Sequence, residues 1–280
     1  MADLNRQSIA LPTEISAEIL SKTQEQSAVM QLARQIVLPG RGLTIPVITG
    51  DSEANWVAET GKKPVSNATL DKKIMQAYKL AVIETFSMEF IRDLPALYNE
   101  LVKRLPLALA KKFDATVFGA GNAPGENFDT FKAITAQEIG TDAYKGLVGA
   151  DADIADHGGI MNGIVLAPQA KSVLLSAVDG NKRPLFINSV AEGAIPMVLG
   201  AKTLTSKGAY VAGSPNTVGV AGDWTKALYG TVEGVQIAVS DQATVGEVNL
   251  WEQNMVAVRA EIEIGFRADT SVFNKLTKAA

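Results

Sequence analysis

The chain has 280 residues, a length typical of one large domain or of two closely joined domains. It contains no cysteine, which excludes disulfides, thiolate metal ligands and cysteine nucleophiles, and its single histidine offers at most one imidazole for catalysis. The 26 basic and 30 acidic residues give a net charge of −4, which provides no electrostatic reason to bind a polyanion.

The N-terminal segment, residues 1–42, carries no targeting signal and predicts two short helices. The polar stretch from Met1 to Ala10 lacks the apolar core of a signal peptide, and no apolar run in the chain approaches the ~18 residues of a membrane span. We therefore expect a protein that is intracellular when synthesised. Apolar residues at helical spacing predict helix from Thr13 to Ala33, with Ser27 capping the second piece, and Pro39 opens an extended segment.

Residues 43–87 predict a long hairpin that protrudes from the rest of the chain. Apolar residues alternate from Leu43 to Ile48 and again from Ile74 to Phe86, while Gly61 to Asn67 is rich in turn residues. An arm of about 15 residues would extend roughly 50 Å, and its outer half is polar. Because an isolated two-stranded ribbon is marginal in water, we expect it to lie on a neighbouring copy, and Trp56 favours such an interface.

Residues 88–140 are expected to contain one long helix. A start signal at Asp93 and Pro95 is followed by apolar residues every three or four positions as far as Val117. This spacing predicts a helix of about 24 residues, roughly 36 Å long. Pro106 lies in its middle, where the loss of one backbone donor predicts a kink.

The rest of the chain predicts an inserted domain followed by a return to the first one. Residues 141–254 alternate helices, over 141–156 and 169–178, with strands over 164–167, 218–221, 227–229 and 235–239. From Val256 to Arg267 apolar residues recur at every second position and most of the charged residues lie between them, which predicts a half-buried strand. Such a strand must pair with strands formed much earlier, so residues 141–254 are interpreted as an insertion and 255–280 as the return.

No motif indicates catalysis or cofactor binding. The glycine-rich stretches Gly119 to Gly125 and Gly61 to Lys63 fail the spacing of nucleotide-binding loops. Glu261 and Glu263 alternate with apolar residues, which indicates the solvent-exposed face of a strand rather than a catalytic acid–base pair. The one cluster of side chains able to bind a metal consists of Asp151, Asp153, Asp156 and His157. Its spacing does not match that of a calcium-binding loop, and a solvent-exposed helix end is the simpler interpretation.

Five stretches together resemble a known family. They occur in order along the chain: Leu11 to Leu20, Trp56 to Glu59, Asp179 to Phe186, Gly222 to Ala227, and Val256 to Phe266 with Phe273 after it. Over roughly residues 10–278 the chain resembles the major capsid proteins of tailed bacteriophages, whose fold is shared with encapsulin shells. The resemblance implies an α+β fold with an N-terminal segment (1–42), an E-loop hairpin (43–87), a P-domain with a spine helix (88–140 and 255–280) and an inserted A-domain (141–254).

The resemblance also implies a structural role without catalysis, cofactor or membrane. Copies of the chain would form pentamers and hexamers of an icosahedral shell that encloses double-stranded DNA without specific binding, in a virion assembled in the host cytoplasm. Separate scaffolding, portal or decoration proteins are further expected partners. The E-loop would lie on an adjacent subunit, and the expected interface residues are Trp56, Glu59, Lys62, Lys63 and Asn67.

Alternatives to this interpretation stay open at the level of sequence. One is an encapsulin-like compartment that encloses a cargo enzyme, and another is a metal-dependent hydrolase that uses the Asp151–His157 cluster. One branch of the family also cross-links an E-loop lysine to an asparagine of a neighbour. Lys62, Lys63 and Asn274 are candidates for that bond by residue type, although no matching motif identifies them.

Overall fold

The computed structural model describes residues 13–40, 42–48, 56–57, 59, 63, 70–88, 94–179, 181–183, 185–186 and 197–279. The α-helices in this part are α1 (Thr13–Gln26), α2 (Ala28–Leu32), α3 (Leu94–Val117), α4 (Ala143–Asp156) and α5 (Pro168–Ser176). The strands as far as the middle of the chain are β1 (Arg34–Val37), β2 (Leu43–Ile48), β3 (Leu70–Met75), β4 (Tyr78–Ser87), β5 (Thr135–Glu138), β6 (Gly163–Leu166), β7 (Met197–Val198) and β8 (Ala201–Thr205). The later strands are β9 (Asn216–Gly222), β10 (Ala227–Thr231), β11 (Gln236–Ser240), β12 (Thr244–Val245), β13 (Val248–Asn249), β14 (Met255–Ala268) and β15 (Phe273–Lys278).

The N-terminal helices break where the sequence predicts. The side chain of Ser27 accepts a hydrogen bond from the backbone N–H of Met30 at 3.1 Å, so it caps α2 and separates it from α1. The extended chain begins earlier than expected, because β1 already precedes Pro39 and pairs parallel with β10 from Arg34 opposite Leu228.

The long helix is confirmed as a 24-residue element, α3, from Leu94 to Val117. Its start signal at Asp93 lies outside the described residues, and the kink at Pro106 stays a prediction. Leu105, Leu109, Phe113 and Val117 are buried along one face. This three-to-four-residue spacing is the apolar stripe by which the helix packs on the rest of the subunit.

The central sheet is built around β14, the strand predicted from the period-two pattern. It pairs antiparallel with β4 along one edge, from Met255 opposite Ser87 to Ile264 opposite Tyr78, and with β10 and β11 along the other edge. Residues 78–87, predicted as part of the hairpin arm, form a strand of the central sheet, so the prediction is wrong for them. The alternation of β4 is that of a strand whose Leu80 and Val82 pack against the core beside β14.

A second sheet has the order β5-β15-β9-β6-β8-β7 and does not follow the predicted borders at residues 254 and 255. Strands β10 and β11, expected in the insertion, pair with β14 of the central sheet. The last strand, β15, expected to return to the first domain, pairs with β5, within residues 88–140, but also with β9 of the predicted insertion. The predicted borders fail because the chain crosses from one sheet to the other near Asp223 and again near Asp269. Local periodicity does not mark either crossing.

The crossing points are held by an aromatic cluster and by Asp223. The ring of Phe273 stacks on Phe131 with centroids 4.6 Å apart and meets Trp224 edge-on at 5.3 Å. Asp223 accepts hydrogen bonds from the Thr225 hydroxyl at 2.6 Å and from the Asn162 amide at 2.8 Å. Its partial burial acts to raise the pKa, but these and backbone hydrogen bonds outweigh burial and hold the pKa of Asp223 below its usual value.

A buried carboxylate ties α3 to elements on either side of it. Asp114 of α3 accepts hydrogen bonds from the Ser27 hydroxyl at 2.6 Å, the Ser206 hydroxyl at 2.8 Å and the backbone N–H groups of Ala28 at 3.0 Å and Val29 at 3.4 Å. Burial raises the pKa of Asp114, and the hydrogen bonds from Ser27 and Ser206 oppose that rise. One side chain thus fixes the start of α2 and the turn after β8 against the long helix.

Candidate inter-subunit interface

The structure contains the base of the predicted hairpin. Strands β2 and β3 pair antiparallel from Leu43 opposite Met75 to Ile48 opposite Leu70, and they form a separate two-stranded sheet. Six residue pairs correspond to roughly 20 Å of ribbon. Among the described strands neither has a further partner, and the described contacts between the ribbon and the central sheet lie at its base.

Arg267 at the end of β14 holds this base. Its guanidinium donates hydrogen bonds to the backbone oxygen of Ile74 at 2.8 Å, to the Asp129 carboxylate at 2.7 Å and to the Asn127 side-chain oxygen at 2.8 Å. The side chains of Arg267 and Asp129 are only 12% and 19% exposed, so water screens their ion pair weakly. We call Arg267, Asp129 and Asn127 the hairpin clasp.

Further contacts reinforce the clasp. The Lys73 ammonium donates a hydrogen bond to the backbone oxygen of Ala268 at 3.0 Å and lies 3.8 Å from the Asp129 carboxylate. The side chain of Met75, the last residue of β3, is fully buried. The ribbon therefore leaves the central sheet from a defined position and direction.

The predicted interface residues lie beyond this base. Trp56, Glu59 and Lys63 are exposed, and the relative exposure of Trp56 is 105%, that of a side chain in full contact with solvent. Lys62 and Asn67 lie outside the described residues. A fully exposed tryptophan is unusual on a lone subunit and typical of an interface residue.

The sequence did not reveal the hairpin clasp. In the sequence, Arg267 is one of several polar residues on the solvent-exposed face of β14, and Asp129 is one residue of a polar loop. They are 138 positions apart, so no local pattern joins them. Their pairing depends on the antiparallel register of β14 with β4, which brings the end of β14 to the start of the hairpin.

The residues proposed for a metal site are not brought together. Asp151, Asp156 and His157 are exposed at the end of α4, and the His157 ring is hydrogen-bonded to the backbone oxygen of Asp153 at 2.7 Å. Across the described part of the chain, no group of three or more His, Cys, Asp or Glu side chains could hold a metal ion. In the same part, no helix has the length and hydropathy of a membrane span.

The proposed cross-link at Asn274 does not fit the structure. Asn274 lies in β15 with a fully buried side chain, whose amide donates a hydrogen bond to the backbone oxygen of Ala150 at 3.2 Å. A lysine from a neighbour could reach this amide only if β15 left its sheet. Asn274, a candidate by residue type alone, is therefore not available for that bond in the folded subunit.

Comparisons with known proteins agree with this architecture. The model described as the phage capsid family matches residues 7–272. The probable major capsid protein gp17 of Mycobacterium phage L5 is 31% identical and the match covers 95% of this chain and 89% of that protein. A structure from Microbacterium phage Oxtober96 has a TM-score of 0.74 at 22% identity, covering 99% of this chain and 96% of its own. The capsid of an empty GTA particle computed with C5 symmetry has a TM-score of 0.70 at 14% identity, covering 91% and 90%.

Proposed function

The chain belongs to the phage capsid family as a shell-forming major capsid protein, and we propose that its copies assemble as pentamers and hexamers around double-stranded DNA. A phage capsid protein resides in the virion, and we place its assembly in the host cytoplasm. The relatives reported above are capsid proteins, so they favour neither the encapsulin-like compartment nor the hydrolase. The fivefold symmetry named for the GTA particle capsid, a protein of similar fold, supports the pentamer.

The observation that carries this proposal is the unpartnered hairpin. A two-stranded ribbon that ends in an exposed tryptophan gains stability only when another surface covers it. We propose that this surface is an adjacent copy and that the covering segment includes Trp56, Glu59, Lys62, Lys63 and Asn67. Large interfaces of this obligate kind bury on the order of 2,000–5,000 Å².

The subunit divides into functional parts along its sheets. We assign β2 and β3 with the residues between them to the E-loop, α3 with the sheet around β14 to the P-domain, and the sheet around β9 and β15 to the A-domain. The role is structural and requires no cofactor or catalytic residue. The net charge of −4 suits a container that encloses DNA without holding it, and scaffolding, portal and decoration proteins are the expected further partners.

Deletion of residues 60–67 tests the proposal. We expect a folded, soluble subunit that forms smaller or fragile particles, measured by negative-stain electron microscopy and sedimentation. A variant of full length with Gly and Ser at the same positions is the matched control, because it keeps the ribbon length and removes the side chains. Particles of unchanged size and heat resistance from both variants would contradict the role of the hairpin.

A further inference from the structure

An apolar pocket lies beside the base of the hairpin, between α3, β4 and the loop that follows α3. Its volume is about 190 Å³, and its apolar lining includes Tyr78, Leu80, Phe113, Phe128 and Ile264. Phe113, Phe128 and Ile264 are themselves buried, so they belong to the core and form a firm wall. We call this site the aromatic pocket.

The size and lining of the aromatic pocket suit an aromatic side chain. A cavity of about 150 Å³ lined by apolar side chains holds benzene. The rings around it already pack edge to face, with centroids 6.2 Å apart for Tyr78 and Phe128 and 6.3 Å apart for Phe113 and Phe128. A further ring can join this cluster in the same geometry, which is the favoured one for aromatic pairs.

In the described part of the chain, the rim of the pocket carries one lysine without an acidic neighbour. Lys79 and Lys112 are both exposed there, but Lys79 lies 3.4 Å from the Glu261 carboxylate and 3.8 Å from that of Glu263. Among the described residues Lys112 has no ion pair. In the sequence Trp56 has Glu53 three residues before it and Glu59 three residues after it. A tryptophan between acidic residues therefore complements an apolar pocket with a lysine at its edge.

The tryptophan of the same chain does not fill this pocket. Trp56 is fully exposed, and it lies eight residues beyond Ile48, the last paired residue of β2. The pocket lies at the opposite end of the ribbon, where the Tyr78 hydroxyl accepts a hydrogen bond from the Asn127 backbone N–H at 3.2 Å. The paired strands alone separate the two ends by roughly 20 Å.

We propose that the aromatic pocket of one subunit receives Trp56 from the hairpin of an adjacent subunit, with Glu59 of the hairpin near Lys112 of the rim. This inference rests on the proposed shell function and adds the identity of the acceptor surface. Each copy then donates one hairpin and accepts another, so the contact repeats from subunit to subunit around a ring.

Chemical cross-linking tests the contact directly, because the chain has no cysteine of its own. Val57→Cys combined with Lys112→Cys in one chain, treated with a short bismaleimide after assembly, is expected to give a ladder of covalent oligomers on a denaturing gel. Val57→Cys combined with Lys207→Cys is the matched control, because Lys207 is exposed but does not line this pocket. Assembled particles that give no ladder with Lys112→Cys, or equal ladders with both pairs, would overturn the pocket assignment.

Substitution of the tryptophan gives a second readout. We expect Trp56→Ala to raise the subunit concentration needed for assembly about tenfold or more, and Trp56→Phe to raise it less, because a smaller ring still enters the pocket. If wild type and Trp56→Ala both form particles and do so at the same subunit concentration, the proposed contact is refuted. A wild-type chain that never forms particles would instead refute the shell function, so the two failures are distinguishable.

Discussion

Asp114 offers a sharp test of how the subunit is held together. Its buried carboxylate is replaced in two steps, by Asp114→Asn, which keeps the shape and removes the charge, and by Asp114→Ala, which removes the acceptor altogether. The free energy of unfolding of unassembled subunits is measured in urea, with the buried Trp224 as a fluorescence probe. The expected order of stability at neutral pH is wild type, then the Asn variant, then the Ala variant.

The magnitudes follow from the hydrogen bonds. Without Asp114, the Ser27 hydroxyl still accepts from the Met30 N–H but its own proton loses its acceptor. The Ala28 N–H likewise loses a partner at 3.0 Å. A buried donor left unpaired costs about 1–3 kcal/mol. The Ser206 hydroxyl loses the same acceptor, so several buried donors are left unpaired in Asp114→Ala. Removal of a desolvated charge offsets part of the summed cost, and we expect a net loss of about 2–4 kcal/mol. Asp114→Asn keeps one acceptor oxygen and should lose about 1–3 kcal/mol.

The pH dependence of Asp114 has a definite sign. Because burial raises the pKa of Asp114 above its usual 3.8, the folded state binds this proton more tightly than the unfolded state. The contribution to the free energy of unfolding is therefore fully present below pH 3.8 and is lost as the pH rises through the folded pKa. The Asn variant does not titrate here, so the stability difference between wild type and variant should widen as the pH falls from 7 towards 4. A difference that stays constant or narrows would refute the account.

Two further residues give predictions of the same kind. Arg267→Met keeps the apolar stem but removes three hydrogen bonds of the hairpin clasp, so we expect a loss of about 2–4 kcal/mol and faster proteolysis within residues 43–75. An unchanged cleavage rate would show that the clasp does not hold the hairpin. For Asp223 the pKa is lowered, so its contribution is present above pH 3.8 and lost as the pH falls through the folded pKa. In urea titrations, the difference in unfolding free energy between wild type and Asp223→Asn should narrow as the pH falls, whereas the difference for Asp114→Asn should widen. A difference that widens for Asp223→Asn would contradict this account.

The elements that could be predicted from the sequence are those with a strong local period. The 24-residue helix α3 follows from apolar residues every three or four positions, and β14 follows from apolar residues at every second position. The cap at Ser27 was also predictable, because it depends on a side chain and a backbone N–H three residues apart. In each case the interacting groups are close in the chain.

The features that could not be predicted depend on long-range pairing. The alternation of β4 is compatible with a hairpin arm and with a sheet strand, and only its pairing with β14, far along the chain, decides between them. The same holds for β15, whose apolar residues fit either sheet. The residues of the candidate site differ in the same respect. The interface role of Trp56 is predicted from its residue type and its place on the hairpin and stays a prediction, whereas the clasp at Arg267 arises from tertiary register.

If Trp56 enters the aromatic pocket of the next copy as proposed, the pocket contributes to the strength of assembly and the clasp contributes to its geometry. A hairpin given to the next copy is a head-to-tail contact, and such contacts close into a ring only if each one adds the right rotation; otherwise they continue into an open filament. The direction in which the ribbon leaves the subunit is fixed by Arg267, at the opposite end from Trp56. Loss of Trp56 should therefore weaken assembly, whereas a loosened clasp should leave binding largely intact and broaden the range of particle shapes. If the two substitutions change particle yield and particle shape differently, the ribbon directs closure of the shell as well as binding the next subunit.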